Sequence, residues 1–162
     1  MSILRELPAG ELEIVKEALS EFPVKLGALA KKLGIKVFVA TLPAGISGEI
    51  KASPNEEDTF IIRVNRHESR PRQRFTLAHE IGHFLLHKDK IGNGIVDDAL
   101  YRSRLSNSLE YEANRFAADL LMPKAEIDKI LDTAVGSDDA LIETVCRKFG
   151  VSKQAAEIRL GL

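Results

Sequence analysis

Hydrophobic positions along the chain recur first at helical spacing, then alternate, and then return to helical spacing. Near the N-terminus, Leu12, Val15 and Leu19 are three or four positions apart, which predicts a helix. A second short helix is predicted over residues 24–33. Gly34 follows it, at a position where helices commonly end in a left-handed residue. The chain is therefore predicted to begin with a pair of helices.

Three short apolar segments after this helical pair have the composition and length of strands. They are separated by turn-forming residues and cover residues 35–42, 46–53 and 59–65. Short links between successive strands favour antiparallel neighbours. The pattern therefore predicts a small three-stranded antiparallel sheet.

Helical spacing returns after the third strand and continues almost to the C-terminus. The predicted helices cover residues 71–88, 109–122, 124–131, 140–149 and 152–160. Between the first two, residues 89–107 show no clear period and contain several glycine, serine and asparagine residues. A loop of that length inside a compact domain is usually functional or disordered, and this one is a candidate lid.

These elements predict an α+β fold in one domain, residues 1–162. Its parts are an N-terminal lobe with the sheet, the lid loop and a helical C-terminal lobe whose end has helix-turn-helix spacing. They cover residues 1–88, 89–107 and 108–162 respectively.

Composition and charge narrow the class of protein. The chain has 162 residues, 44% of them hydrophobic, and a net charge of −1, so nothing global indicates nucleic acid or an anionic membrane. No apolar run approaches the ~18 residues of a membrane span. The N-terminal segment lacks the basic start and apolar core of a signal peptide. The single cysteine, Cys146, excludes an internal disulfide. We expect a soluble, cytoplasmic protein that does not bind membranes.

The predicted helix over residues 71–88 contains the sequence F-T-L-A-H-E-I-G-H-F-L-L-H. At ~100° per residue, His83 lies about 40° from His79, whereas the apolar stripe around Ile81 lies on the opposite side. The histidines are thus expected to face a cleft or water. Imidazoles at i and i+4 can bind one zinc ion. Glu80 lies about 100° around the helix from His79, where it can act as a general base. The alternative is a helix that carries surface histidines by chance.

A catalytic zinc site needs a third protein ligand and an open position. If His87 were the third ligand, the three histidines would be spread over about 12 Å of one helix, which is too far for one ion. In the helix over residues 109–122, Glu110 lies about 50° from the centre of the apolar face and Glu112 about 110° away. Glu110 is therefore the predicted third ligand and Glu112 a solvent residue. Asn114, one turn after Glu110, is a candidate for holding a ligating side chain in place.

Two segments of the chain resemble the ImmA/IrrE family of zinc metallopeptidases. They are R-F-T-L-A-H-E-I-G-H-F-L-L-H and E-Y-E-A-N-R-F-A-A-D-L-L-M-P, and the C-terminal K-F-G-V-S-K-Q-A-A-E-I-R-L is also similar. The resemblance covers roughly residues 60–162. It implies a zincin-like fold and a gluzincin-like site, in which His79, His83 and Glu110 bind zinc and Glu80 is the catalytic glutamate.

The resemblance also implies a protein substrate. Members of the family typically act on helix-turn-helix repressors of the XRE type and so relieve repression in mobile elements or stress responses. We therefore predict a zinc-dependent endopeptidase that uses Glu80 as its general base. Tyr101 and His67 are candidates for stabilising the oxyanion. Arg72 falls near the histidine face of its helix, which favours a role at the cleft.

Two other classes of function remain open from the residues. Residues 140–160 have helix-turn-helix spacing, but residues 138–160 contain four acids and four bases, which argues against DNA contact. We interpret this segment as a structural helical pair and a candidate partner-docking surface. A regulator that keeps the zinc fold and acts by binding alone is the other alternative, and the intact Glu80 argues against it. The arginine-rich segment, residues 63–74, is either a solvated loop or a site for acidic substrate.

Overall fold

The computed structural model describes residues 6–162 and begins with the predicted pair of helices. Helix α1 covers Ala9–Ala18 and helix α2 covers Leu26–Lys32. Gly34 follows α2 with φ of 78°, in the left-handed region that favours glycine. Residues 1–5, which form most of the segment used to argue against a signal peptide, lie outside the described part of the chain.

A mixed four-stranded sheet follows the helical pair. Its strands are β1 (Ile35–Ala40), β2 (Ile46–Ala52), β3 (Phe60–Asn65) and β4 (Ile95–Asp98), in the order β1-β3-β2-β4. Strand β1 pairs in parallel with β3, whereas β2 pairs antiparallel with both β3 and β4. The sheet therefore has β1 and β4 at its two edges.

The prediction of a three-stranded antiparallel sheet was wrong in two respects. The sheet has a fourth strand, and β1 lies beside β3 instead of β2. Strand β3 takes a central position because its Ile62 and Val64 are buried, with 0% and 3% exposure. Strand β1 exposes Phe38 and Val39 to 51% and 52%, as an edge strand tolerates. The local pattern predicted the residues of β1, β2 and β3, but the choice of neighbours depends on burial across the whole sheet.

The rest of the chain is mainly helical. Helix α3 covers Arg70–Leu86, a short 3₁₀ helix Lys88–Lys90, α4 Asn107–Leu121, α5 Lys124–Thr133, α6 Asp138–Phe149 and α7 Lys153–Leu160. Four of these helices, α3, α4, α6 and α7, begin after a serine whose hydroxyl accepts a backbone N–H three residues later. Ser152, the first residue of the helix predicted over residues 152–160, is one of the four. Within residues 6–162, no helix is both long enough and apolar enough to cross a membrane.

Helix α3 is buried on all sides of its second half because the sheet lies against one face and α4 against another. The expectation that its histidines face a cleft or water is therefore corrected: His79 and His83 are both 0% exposed. Gly82 permits the close approach of α4. A Cβ atom at Gly82 would lie 3.0 Å from the Phe116 ring and 3.4 Å from Ala113.

The segment predicted as a long lid loop, residues 89–107, is more ordered than its sequence indicated. It contains β4, which hydrogen-bonds to β2, and Arg104 donates to the carbonyl oxygens of Lys90, Ile91 and Gly94. Strand β4 has only four residues, too few to show a period. Because β4 extends the sheet, this segment covers the histidine face of α3.

Candidate metal centre

Two histidines of α3 and one glutamate of α4 meet between these helices. His79 Nε2 lies 3.0 Å and His83 Nε2 lies 2.9 Å from the same atom, Glu110 Oε1. All three residues are buried. The i, i+4 spacing on α3 brings both imidazoles to one side of the helix, and the close packing of α4 brings the carboxylate to them.

A fourth residue, Asp97 of β4, joins this group and was missed in the sequence. Its Oδ2 atom lies 3.5 Å from His79 Nε2 and 3.7 Å from His83 Nε2. These four residues, His79, His83, Asp97 and Glu110, are called the cluster below. One ligand atom from each of them lies within 4.8 Å of the others. Asp97 was missed because its segment showed no period; the only signal was an acidic residue inside the short apolar run I-V-D-D.

The donor set fits a divalent metal. Imidazole nitrogens and carboxylate oxygens bind zinc at ~2.0–2.2 Å, and tetrahedral ligands at that bond length are about 3.3–3.6 Å apart. The distances from Glu110 and Asp97 to the two Nε2 atoms, 2.9–3.7 Å, bracket this value. Neither carboxylate oxygen of Asp97 has a hydrogen-bond partner among residues 6–162. A buried carboxylate in that state requires a cation or a proton.

Hydrogen bonds to the other ring nitrogens hold the histidines in place. His79 Nδ1 lies 2.9 Å from Asn114 Oδ1, which can only accept, so Nδ1 carries the proton and Nε2 is free to bind a metal. His83 Nδ1 lies 2.9 Å from His87 Nδ1, and His87 Nε2 lies 2.8 Å from Glu112 Oε1. Glu112 is therefore connected to His83 through His87 and does not reach the cluster itself.

Glu80 lies in the same interior. It is 0% exposed, and neither of its carboxylate oxygens has a hydrogen-bond partner in the described residues. Burial, and then the negative charge of Asp97, raise the pKa of Glu80 well above its ordinary value. Strand β2 comes close here because Gly48 has no side chain: a Cβ atom would lie 3.4 Å from Glu80 Oε2. Glu80 is thus a buried carboxyl group that can hold or release a proton next to the candidate metal ligands.

The pKa shifts of Glu110 and His83 favour metal binding, whereas that of His79 opposes it. Burial raises the pKa of Glu110, but hydrogen bonds with His79, His83 and Ser103 outweigh it and hold that pKa far below its ordinary value. Burial is the main cause of the lowered pKa of His83. For His79, burial lowers the pKa, yet the contacts with Asp97 and Glu110 give a net increase. An ionised Glu110 and a neutral His83 are the protonation states in which these groups bind a cation.

Tyr101, a predicted oxyanion stabiliser, lies beside His79, and Arg72, predicted at the cleft, contacts Tyr101. The Tyr101 ring is 4.9 Å from the His79 ring, and its hydroxyl is 3.0 Å from Thr76 Oγ1. Tyr101 adopts φ of 56°, a left-handed conformation that is costly for a side chain of this size. Arg72 lies over the Tyr101 ring at 5.0 Å and donates to the carbonyl oxygen of Ala99. His67 is instead exposed in the turn after β3.

A wide groove of about 1380 Å³ begins next to the cluster. Tyr101 and Asn114, both in contact with His79, line its inner end. It continues between the segment after β4 and the helices α4, α5 and α7, with an apolar wall that includes Leu100, Tyr111 and Ile158. A groove of this size and lining suits a polypeptide segment better than a small polar metabolite.

The arginine-rich segment does not form one basic patch. Arg63 pairs with Glu49 at 2.7 Å, Arg66 donates to the carbonyl oxygen of Val39, and Arg74 donates to that of Phe149. These side chains connect neighbouring elements instead of presenting a common charged surface.

The chain is similar to several known proteins. The family described as the IrrE N-terminal-like domain, an M78 peptidase family, matches residues 30–161. The radiation response metalloprotease IrrE of Deinococcus radiodurans is 38% identical over 96 residues, which cover 59% of this chain and 29% of that protein. The metallopeptidase ImmA of Bacillus subtilis is 28% identical over 100 residues, which cover 62% of this chain and 54% of that protein. The matches thus span about a third to a half of these relatives.

The fold also has a counterpart among solved structures. A Mycobacterium tuberculosis transcriptional regulator superposes on 98% of this chain and 48% of its own, with a TM-score of 0.59 and 19% sequence identity. At that identity the likeness concerns the fold alone. The family match, which covers most of the chain, shows that this chain belongs to the M78 peptidase family of IrrE N-terminal-like domains.

Proposed function

We propose that this protein is a zinc-dependent endopeptidase. The observation that carries the proposal is the convergence of His79 Nε2 and His83 Nε2 on Glu110 Oε1, at 3.0 Å and 2.9 Å, with the buried Glu80 in the same interior. Two imidazoles and a carboxylate from two helices are a ligand set typical of catalytic zinc in peptidases. The names of the relatives, a metalloprotease and a metallopeptidase, are consistent with it.

Bound zinc would act as a Lewis acid that polarises a peptide carbonyl and acidifies a water molecule. The chain's own residues supply the rest. His79, His83 and Glu110 would hold the ion, and Asn114 fixes the tautomer of His79. Glu80 accepts a proton at its carboxylate and returns it to the leaving amine. Its raised pKa makes the carboxylate a better proton acceptor than an ordinary glutamate.

We propose an XRE-type repressor as the protein substrate, and a cytoplasmic location follows from that target. Two features of the chain support a polypeptide ligand: the apolar groove that begins at Tyr101 and Asn114, and the exposed hydrophobic side chains Leu100, Tyr111 and Ile158 along it, which are 67%, 64% and 72% exposed. Exposed apolar residues that line one groove indicate a binding surface for another chain.

Direct binding of DNA by the C-terminal helices is the less favoured alternative. Most basic side chains of α6 and α7 already have acidic partners: Lys148 pairs with Glu126, Lys153 with Glu157, and Arg159 with Asp119. A DNA-binding helix needs unpaired positive charge for phosphate. Helix α7 also lines the groove, which favours contact with a protein.

The test combines metal analysis with cleavage for four proteins: wild type, Glu80→Gln, Glu110→Gln and Glu112→Gln. The substrate is the purified helix-turn-helix repressor encoded nearest to this chain's gene, with casein as a general polypeptide. We expect about one zinc per chain in wild type, Glu80→Gln and Glu112→Gln, and loss of zinc in Glu110→Gln. Glu112→Gln is the matched control, because its side chain is half exposed and accepts from His87 Nε2, as a glutamine oxygen still can.

Cleavage should occur in wild type and Glu112→Gln and fall at least ~100-fold in Glu80→Gln, since general base catalysis contributes about 10²–10⁴-fold. Zinc-loaded Glu80→Gln with wild-type cleavage would contradict the assigned role of Glu80. Loss of zinc from Glu112→Gln, with retention by Glu110→Gln, would contradict the ligand assignment.

A further inference from the structure

Asp97 contributes a carboxylate that the three-ligand site does not need. It is 0% exposed, and within the described part of the chain neither of its oxygens has a hydrogen-bond partner. Burying an ionised carboxylate without a partner is costly, so such a group is usually paired or bound to a metal. No described cationic side chain forms an ion pair with Asp97 apart from His79 and His83.

The position of Asp97 is that of a ligand. Its Oδ2 atom is 3.5 Å from His79 Nε2 and 3.7 Å from His83 Nε2, close to the about 3.3–3.6 Å that separates ligands of tetrahedral zinc. Glu110 approaches the same two nitrogens from α4, whereas Asp97 approaches them from β4. Three elements thus supply four donor atoms to one point.

We propose that Asp97 is a fourth metal ligand that closes the site in the resting protein. Catalytic zinc sites have three protein ligands and one open position, whereas closed four-ligand sites are structural. With Asp97 in the fourth coordination position, the site has no open position and is closed. This inference rests on the proposed zinc-peptidase function and adds a means of regulating it.

The strand that carries Asp97 is suited to release it. Strand β4 has four residues, lies at the edge of the sheet and pairs only with β2, with a register shift between Ile46 and Gly48. Val96, the residue before Asp97, is 46% exposed. A short edge strand with an irregular pairing is held by few hydrogen bonds. A polypeptide that adds to the free edge of β4 would act directly on the strand that holds the fourth ligand.

The test compares wild type with Asp97→Asn and with the control Asp98→Asn. Asp98 lies on the same strand, but its carboxylate accepts from the backbone N–H groups of Leu100 and Arg102, which asparagine can also do. Zinc affinity is measured by competition with a chelator. The cobalt(II) proteins are titrated with azide, a small anion that binds only where a coordination position is open, and followed by visible absorption.

We expect Asp97→Asn to bind zinc at least ~10-fold more weakly than wild type and Asp98→Asn. Azide should change the cobalt spectrum of Asp97→Asn only. The azide titration of the wild-type protein tests the proposal even if Asp97→Asn does not fold. A change in the wild-type cobalt spectrum would show that a coordination position is open and would overturn the proposal. Unchanged zinc affinity in Asp97→Asn would overturn it as well.

These outcomes are separate from those of the proposed function. An open wild-type site that cleaves its substrate would leave the peptidase assignment intact and remove Asp97 from the ligand set. If wild type binds neither zinc nor cobalt, both proposals are contradicted.

Discussion

Single buried carboxylates determine much of the behaviour of this protein at the residue scale. Glu80 and Asp97 are both 0% exposed, and their four oxygens have no hydrogen-bond partners in residues 6–162. Such groups reduce the stability of the fold and are tolerated where function requires them. The two residues are therefore better explained by metal and proton chemistry than by packing.

Replacing Glu80 is predicted to stabilise the metal-free protein. Burial and the charge of Asp97 raise the pKa of Glu80 in the folded state above its ordinary value of 4.5. A raised carboxyl pKa favours folding below the unfolded value, and that contribution is lost as the pH rises through the folded value. At pH 7 we expect metal-free Glu80→Gln to have a higher free energy of unfolding than wild type.

The measurement is denaturant unfolding between pH 4 and pH 8 in the presence of a chelator. The difference in free energy of unfolding between wild type and Glu80→Gln should shrink as the pH falls toward 4. Glu80 then becomes protonated in the unfolded state as well as in the folded state. Glu112→Gln, at a half-exposed carboxylate, is the control and should change little. A wild type more stable than Glu80→Gln at pH 7 would contradict the prediction.

At the scale of secondary structure elements, the site depends on how closely α3 and α4 approach. Gly82 lies against Phe116 and Ala113, and this contact holds α4 near enough for Glu110 to reach both histidines. The sequence alone indicated only a glycine inside a helix, which usually reduces helix stability by about 1 kcal/mol relative to alanine.

Gly82→Ala is predicted to destabilise the protein although alanine is the better helix former. The new Cβ atom would lie 3.0 Å from Phe116 Cδ1 and 3.4 Å from the backbone of Ala113, so the Phe116 ring or the backbone of α4 must move by a few tenths of an ångström. We expect a loss of about 1–3 kcal/mol, the usual cost of overpacking, together with weaker zinc binding. Gly27→Ala is the matched control.

At Gly27, inside α2, nothing lies within 4 Å of the added atom. We expect Gly27→Ala to be neutral or stabilising by up to about 1 kcal/mol. Unfolding in denaturant and zinc competition measure both variants. Equal stability of the two variants would show that the α3–α4 contact is less tight than the structure indicates.

At the scale of the whole molecule, the metal would join parts of the chain that are distant in sequence. His79 and Glu110 lie 31 residues apart and on different helices, and Asp97 comes from the sheet edge. A ligand that binds only the folded chain stabilises it by mass action, by about 4 kcal/mol at a thousand times the dissociation constant.

Removal of metal is therefore predicted to lower thermal stability. We expect a chelator to reduce the Tm of wild type and Glu112→Gln by several degrees or more, in line with about 1 kcal/mol per 2–4 °C for chains of roughly this length. Re-addition of zinc should restore it. Glu110→Gln should show little difference with or without zinc, and an equal zinc response in that variant would contradict its role as ligand. Scanning calorimetry gives the comparison.

The sequence by itself determined the local elements and the two halves of the site. Helical spacing located α3 and α4, and the H-E-x-x-H spacing put His79 and His83 on one face of α3. The helical wheel separated Glu110 from Glu112, and the structure places Glu110, but not Glu112, against both histidines. These features are local because helix geometry fixes the relative directions of residues three or four apart.

Only the tertiary structure decided which strands are neighbours and which residue completes the cluster. Strand β1 pairs in parallel with β3 because β3 lies inside the sheet, between β1 and β2. The sequence of a single segment does not show that position. Asp97 meets the histidines because four residues of irregular sequence add to the edge of β2. Contacts of this kind arise between segments far apart in the chain, so their basis is burial and pairing across the whole fold and not the periodicity of any one segment.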